Sequence, residues 1–234
     1  MATPAPLPVP IITAVELAVV DRLTRGLGKL VTFVETYGGE FDDENLADVI
    51  RRFPAAWVTF GGVKKTTPVD MGRQKWKAEG TFVVMVGARS VRSEAASRHG
   101  GPAQGEVGTN LLIYAVRRLL AQQDMGLPIK EFAPGSVRTL FNTRLQREAF
   151  SVFALEFHTE WVESVLPRST FPQPAAATDM DAVFAAYGGQ LDPAAPYWDA
   201  TQLNYFLDPT REAGTPSAQD ILKMQPPAGA SNEG

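Results

Sequence analysis

The sequence contains no cysteine and only two histidines, His99 and His158. Disulfide bonds and thiolate metal sites are therefore excluded, and the redox compartment is left open. No apolar run approaches the ~20 residues that a helix needs to cross a bilayer. The N-terminus carries four alternating prolines and no basic stretch before them, unlike a signal peptide, so we expect the protein to be made in the cytosol.

Sequence motifs for common enzyme chemistry are also missing. The chain has no Walker A loop, no Gly-x-Ser-x-Gly nucleophile elbow and no zinc-finger spacing. Its net charge is −4 and its pI is near 5.3, whereas a dedicated surface for polyphosphate is usually basic. We therefore expect a protein that is not an enzyme and that has no cofactor and no metal.

The 234 residues divide into three parts. Residues 1–10 have prolines at alternate positions, a pattern that favours an extended arm. Residues 11–166 carry most of the hydrophobic periodicity and predict one domain of ordinary size. Residues 167–234 contain half of the 18 prolines, and they predict an extension that docks on its own domain or on a neighbouring subunit, with flexible last residues.

Two helices of the central part can be predicted from caps and periodicity. Thr13 and Glu16 fit a capping box, which predicts that the first helix begins near Thr13. Residues 108–123 have the clearest apolar stripe at helical spacing. A short helix is also predicted within residues 179–187 of the extension.

Extended segments alternate with these helices. Strands are predicted at residues 75–88, 136–145 and 149–162, the last two as an antiparallel pair. Residues 63–74 are expected to form a hairpin arm or mobile loop, and residues 89–102 a long exposed loop. The order of elements favours an α+β fold in which helices pack on one face of a mainly antiparallel sheet.

Residues 150–161 form the most suggestive stretch, because their polar and apolar side chains alternate. Glu156, His158 and Glu160 share one face of the predicted strand and could ligate a metal in a hydrolase. The other interpretation is a polar sheet surface that meets solvent or a subunit. The apolar positions of the opposite face are Phe153, Leu155, Phe157 and Trp161.

Basic loops and unpaired aromatic residues are the candidates for contacts between subunits. The basic residues cluster in the two segments 63–74 and 89–102, and the aromatic residues lie in the extension, where few local partners are available. The candidate assembly residues are Lys64, Lys65, Arg73, Arg89, Arg92, Arg98, Trp198, Tyr205 and Phe206.

Several local phrases within residues 11–166 resemble the tail terminator, or tail completion, proteins of Mu-like tailed bacteriophages. The phrases carrying the resemblance are Thr13-Ala-Val-Glu16, Phe53-Pro-Ala-Ala-Trp-Val-Thr-Phe60, Gly80-Thr-Phe-Val-Val-Met-Val86, the helix at 108–120 and the strand at 150–161. The Pro-rich C-terminal extension lies outside the pattern.

The resemblance implies a structural protein of the phage neck. Such a protein forms a hexameric ring that caps the tail tube, ends tail polymerisation and provides the docking surface for head-completion proteins. Its partners would be copies of itself, the tail tube protein and the head-completion or connector protein, while DNA passes through the lumen without being read. The alternatives are a head–tail connector, a tail tube subunit, and the metal-dependent hydrolase using Glu156, His158 and Glu160.

Overall fold

The computed structural model describes residues 8–39, 41, 46–90, 93–101, 106–145, 148–192, 200–205 and 218–223. These ranges contain a five-stranded sheet, a two-stranded sheet and short helices. No helix in them is long and apolar enough to cross a membrane.

The first helix, α1, spans Ile11–Leu27 and is followed by a 3-10 turn at Gly28–Leu30. The predicted capping box is wrong, because the helix begins directly after Pro10 and has no side-chain cap. Proline has a fixed φ that suits entry into a helix, and the Pro10 carbonyl accepts the Ala14 N–H at 2.9 Å. The residues that α1 buries recur every four positions: Val15, Val19, Leu23 and Leu27.

The main sheet contains strands β1 (Val34–Thr36), β2 (Ala55–Pro68), β3 (Lys75–Ser90), β4 (Ala133–Leu145) and β5 (Glu148–Ser164). Their order is β1-β2-β3-β5-β4, so the long strands β3 and β5 lie side by side at the centre. All pairs are antiparallel except β1 with β2, which is parallel. The predicted α+β class is confirmed, with a sheet that is mixed and largely antiparallel.

One face of the sheet is covered by α1 and by α4, which spans Thr109–Leu120 as the periodicity predicts. The two helices approach closely at Gly26, which has no side chain. A methyl group at this position would come within 2.7 Å of the Leu119 side chain. Arg22 also donates its Nε–H to the Leu119 carbonyl at 2.6 Å, near the end of α4. The apolar face of β5, including Leu155 and Phe157, lies in the core that α1 and α4 share with the sheet.

Part of the opposite face is covered as well, so the prediction of helices on one face only is incomplete. Helix α2 spans Leu46–Arg51 and packs Ile50, together with Phe41, against the buried Trp57. The Phe41 and Trp57 rings meet edge to face at 4.9 Å. This second core covers the end of the sheet where β5 begins, and the rest of the face stays open.

Residues 89–102 are not the long loop that composition predicts. Arg89 and Ser90 complete β3, and a third helix, α3, spans Glu94–His99. Ser97 on α3 is fully buried, and its carbonyl accepts a 3.3 Å hydrogen bond from the Ser151 hydroxyl on β5. The glycine- and serine-rich composition does not predict this helix, because its buried contact is made by a small serine and not by a stripe of apolar residues.

Within the extension, helix α5 spans Ala182–Ala186, inside the predicted range. Strands β6 (Ala200–Tyr205) and β7 (Ala218–Lys223) pair antiparallel as the two-stranded sheet. Every position of β7 is exposed. The last residues, predicted to be flexible, lie outside the described ranges.

Candidate assembly surface

The open part of the second sheet face carries the three polar residues of β5 that the sequence marks as possible metal ligands. Register places Glu156 beside Val83, His158 beside Thr81 and Glu160 beside Glu79 on β3. Along a strand, side chains on one face are spaced by about 7 Å. The three residues therefore form a row along the strand and do not converge on one point.

Glu160 occupies the centre of a charge network. Its carboxylate lies 3.1 Å from the Lys130 ammonium and 3.1 Å from the Lys77 ammonium. The hydrogen bond from Lys130, followed by that from Lys77, holds the pKa of Glu160 below its ordinary value of 4.5. Lys130 reaches this position because its backbone N–H is bonded to the Glu160 carbonyl at 2.8 Å.

The other two members of the row have partners of their own. Glu156 accepts a 2.7 Å hydrogen bond from Arg138 on β4. The Nδ1 atom of His158 lies 2.9 Å from the Thr81 hydroxyl on β3. In the described part of the chain, no three histidine, aspartate or glutamate side chains are close enough together to hold a metal. The row is thus a set of cross-strand pairs, and nothing in its geometry supports the hydrolase alternative.

Beyond this row, the outer parts of β2 and β3 form a projecting hairpin, residues 62–79, that we call the basic arm. Of the two interpretations of residues 63–74, the hairpin arm is confirmed: residues 63–68 belong to β2 and residues 69–74 form the turn before β3. Asp70 orders the turn by accepting the Lys75 N–H at 2.9 Å, and this backbone hydrogen bond lowers the pKa of the carboxyl. Trp76 also donates its ring N–H to the Arg73 carbonyl at 3.0 Å.

The arm exposes both cations and apolar side chains. Among the described residues, Lys64, Lys65 and Arg73 have no carboxylate within ion-pair distance. Met71 at the tip is fully exposed and Val69 is 54% exposed. A cleft of about 180 Å³ lies at the base of the arm, and Lys64, His158 and Glu160 are among the residues that line it. Exposed apolar groups beside unpaired cations are typical of a surface that docks on a partner.

The second predicted basic cluster lies elsewhere. Arg89 is paired with Phe150 near the end of β3, ten residues from Glu79 at the base of the arm. At about 3.3 Å per residue, the two basic regions are about 30 Å apart. Arg98 is on α3 and its Nε atom is buried without a hydrogen-bond partner, while Arg92 lies outside the described residues.

The aromatic residues of the extension can be placed only in part. Tyr205 ends β6 and is 50% exposed, whereas Trp198 and Phe206 lie outside the described residues. Tyr205 is directly opposite Ala218 on β7. Tyr205 is not packed into the main core, so the docking of this segment stays a prediction.

The free edges of the main sheet are a feature that the sequence does not reveal. Among the residues that the structure describes, β4 is an edge strand, and β1 covers β2 only from Ala56 to Val58, so the remainder of β2 is a second edge. The edge residue Val137 is 38% exposed and Leu140 is 40% exposed. Alternation of apolar and polar residues could suggest a strand here, but strand order follows only from the three-dimensional pairing.

Together, the α+β core, the paired polar row and the basic arm leave two sheet edges and part of one sheet face exposed in the described part of the chain. A family model described as Bacteriophage Mu, Gp37 matches residues 11–162, and the chain belongs to this family. It is therefore a bacteriophage structural protein. The match begins at the first residue of α1 and ends two residues before the end of β5. A comparison with curated proteins finds no match.

Proposed function

We propose that this protein is the tail terminator of its phage. In this proposal, copies form a hexameric ring in the neck, cap the tail tube and end its polymerisation. The ring then provides the surface on which head-completion proteins dock, and it acts without enzymatic chemistry. Membership of the Mu Gp37 family and the resemblance of residues 11–166 to tail terminators support this function.

The structural observation that best supports a ring is the pair of free edges on opposite sides of one sheet. A closed ring uses two different patches on each subunit, because neighbouring subunits are related by rotation and meet head to tail. The β4 edge and the outer part of β2 with the basic arm are two such patches. Their separation across the sheet leaves the faces between them available for the tube and the head-completion proteins.

The charge of the protein suits a conduit for DNA. Phosphate affinity comes mainly from lysine and arginine, and the chain has a net charge of −4. A lumen lined by acidic or neutral groups would let DNA pass without holding it. A ring structure with a strongly basic lumen would contradict this part of the proposal.

Deletion of the gene from the phage tests the function directly. We expect particles in which heads and tails do not join and tail tubes lose their uniform length, with both defects restored by the native gene in trans. Electron microscopy of the purified protein separates the related alternatives. Closed rings, or monomers that assemble on tube ends, support a terminator, whereas long tubes from the protein alone would indicate a tube subunit. Normal joining and normal tail length in the deletion would overturn the proposal.

A further inference from the structure

The basic arm contains a β-bulge that places two consecutive lysines on the same face of the sheet. In a regular strand, the side chains of neighbouring residues point to opposite faces. Between Val63 and Lys65, however, β2 advances by two residues while β3 advances by one, so Lys64 is the extra residue of a bulge. Lys65 is paired with Glu79, which is itself paired with Glu160, and it therefore lies on the open sheet face. Lys64 lines the same cleft as Glu79 and Glu160, so both lysines belong to this face.

The open face of the arm keeps most of its positive charge unpaired. Lys75 and Lys77 follow at alternate positions of β3, on the same face as Glu79. Lys77 is paired with Glu160, but Lys75 and the two lysines of the bulge have no carboxylate within ion-pair distance among the described residues. Residues 62–79 contain five basic and two acidic residues, a net charge of +3 in a chain whose net charge is −4. The arm is therefore a local basic surface on an acidic protein.

Exposed apolar side chains lie among these cations. Val162 is paired with Lys77 on the open face and is 55% exposed, and Met71 at the tip of the arm is fully exposed. Polar and charged groups make the contacts to a DNA backbone, where Val162 and Met71 would gain no partner. A protein surface can supply both carboxylates and apolar groups. The mixture of exposed groups therefore favours a protein partner over nucleic acid.

We propose that the open face of the basic arm binds an acidic surface of another structural protein of the phage. Lys64, Lys65 and Lys75 meet carboxylates of that partner. Val162 and Met71 meet apolar side chains among the carboxylates. The complementary charges hold the two surfaces in one orientation and speed their encounter.

The partner is a different protein because two copies of this basic face repel each other. In the proposed function, contacts between copies use the strand edges, and the open face lies between those edges. The inference deepens the proposed function and rests on it, since it gives the chemistry of the surface by which the tube or a head-completion protein meets the ring.

Complementation of a phage that lacks the gene tests this contact in the assembled particle. The full-length native protein or a variant is supplied from a plasmid, and the titre of infectious phage is measured. Lys64→Glu with Lys65→Glu should lower the titre by about tenfold or more, because like charges then face each other across the contact. Lys29→Glu with Arg118→Glu makes the same change of charge at two exposed positions on the helical side of the sheet, and it should leave the titre unchanged.

Suppressor mutations then report the chemistry of the partner. Because the variant is supplied from a plasmid, phage mutants that regain titre carry their changes in the genes of other proteins. We expect these changes to replace an aspartate or glutamate of one structural protein by a neutral or basic residue. An unchanged titre with Lys64→Glu and Lys65→Glu, an equal loss with the control, or suppressors that alter no acidic residue would each overturn the inference.

Two measurements on the purified variant exclude other causes of a loss. Lys64 and Lys65 are exposed, so Lys64→Glu with Lys65→Glu should unfold in urea as the native protein does. The milder Lys64→Gln with Lys65→Gln should give a smaller loss of titre in the same direction. Fluorescence anisotropy with a short labelled DNA duplex tests the nucleic-acid alternative, and duplex binding that is lost in Lys64→Glu with Lys65→Glu would overturn the inference.

The gene deletion and the lysine variant fail independently. If the deletion blocks head–tail joining and the lysine variant keeps full titre, the terminator proposal stands and the acidic contact is removed. If joining and tail length are normal in the deletion while the lysine variant loses titre and gains acidic suppressors, the contact stands and the terminator proposal is removed.

Discussion

The indole ring of Trp161 on β5 lies over the backbone of Gly80 on the neighbouring strand β3. A methyl group at residue 80 would overlap carbon atoms of the six-membered ring. Gly80 is paired with Thr159, so the tryptophan reaches it diagonally across the strand pair. Because Gly80 has no side chain, the large Trp161 ring can pack in the core at the end of the sheet where the basic arm begins.

Gly80→Ala is expected to destabilise the fold by about 1–3 kcal/mol, the usual range for an overpacked core. Trp161→Phe in the same chain removes the overlapping atoms, so the double variant should lose less stability than the two single variants added together. Urea unfolding of the four proteins provides the measurement. Strict additivity would show that the ring does not constrain residue 80.

Thr109 and Ser151 form a second tertiary link, between α4 and β5. Both side chains are fully buried, their hydroxyl oxygens are 3.1 Å apart, and Ser151 also donates to the Ser97 carbonyl. Ser151→Ala leaves two buried polar groups without this partner, and we expect a loss of about 1–3 kcal/mol. Thermal unfolding measures this loss of stability, with Thr139→Val at an exposed position as the control. A loss for Ser151→Ala no larger than that for Thr139→Val would contradict the prediction.

The central elements can be predicted from sequence because their patterns are local. Leu155 and Phe157 alternate with polar residues along β5, and Leu112 and Val116 follow the helical period along α4. Helix α1 begins at Ile11, close to the predicted start near Thr13, but the predicted capping box of Thr13 and Glu16 is absent because the helix starts directly after Pro10. A local sequence pattern does not show which of two possible helix starts, the capping box or the proline, the chain adopts.

The candidate surface depends on information that local patterns do not contain. Glu160 resembles a metal ligand in the sequence because its partners, Lys77 and Lys130, are 83 and 30 residues away along the chain. Lys77 approaches Glu160 because β3 pairs with β5, and Lys130 approaches it through its backbone hydrogen bond to the Glu160 carbonyl. Ion pairs of this kind can be assigned only after the pairing of strands is known.

Metal titration provides a test of the remaining enzymatic alternative. We expect no stoichiometric binding of Zn²⁺ or Mn²⁺, because Glu156 and Glu160 are already paired with cations and a zinc ion requires ligand atoms at about 2.0–2.2 Å. His158→Ala should give the same titration as the native protein. Tight binding at one ion per chain that is lost in His158→Ala would instead favour the hydrolase.

Glu160 should also confer a pH dependence on stability. Its folded-state pKa is below the ordinary value of 4.5, so its stabilising effect is fully present above that value and is lost as the pH falls through the lowered pKa. The carboxylate side chain is 26% exposed, and pairs near the surface contribute about 1 kcal/mol or less. Glu160→Gln should therefore be slightly less stable than the native protein near neutral pH and equal to it in acid.

Urea unfolding of native and Glu160→Gln proteins across the acid range measures this difference. The comparison also removes the parallel effect of Asp70, whose lowered pKa is present in both proteins. Glu131→Gln is the control, since Glu131 is exposed and has no ion pair with any described residue. Because Lys77 and Lys130 act on Glu160 at the surface, added salt should shrink the difference at neutral pH. A difference that persists unchanged below the lowered pKa would mean that the Glu160→Gln substitution disturbs packing and that the charge network contributes nothing measurable.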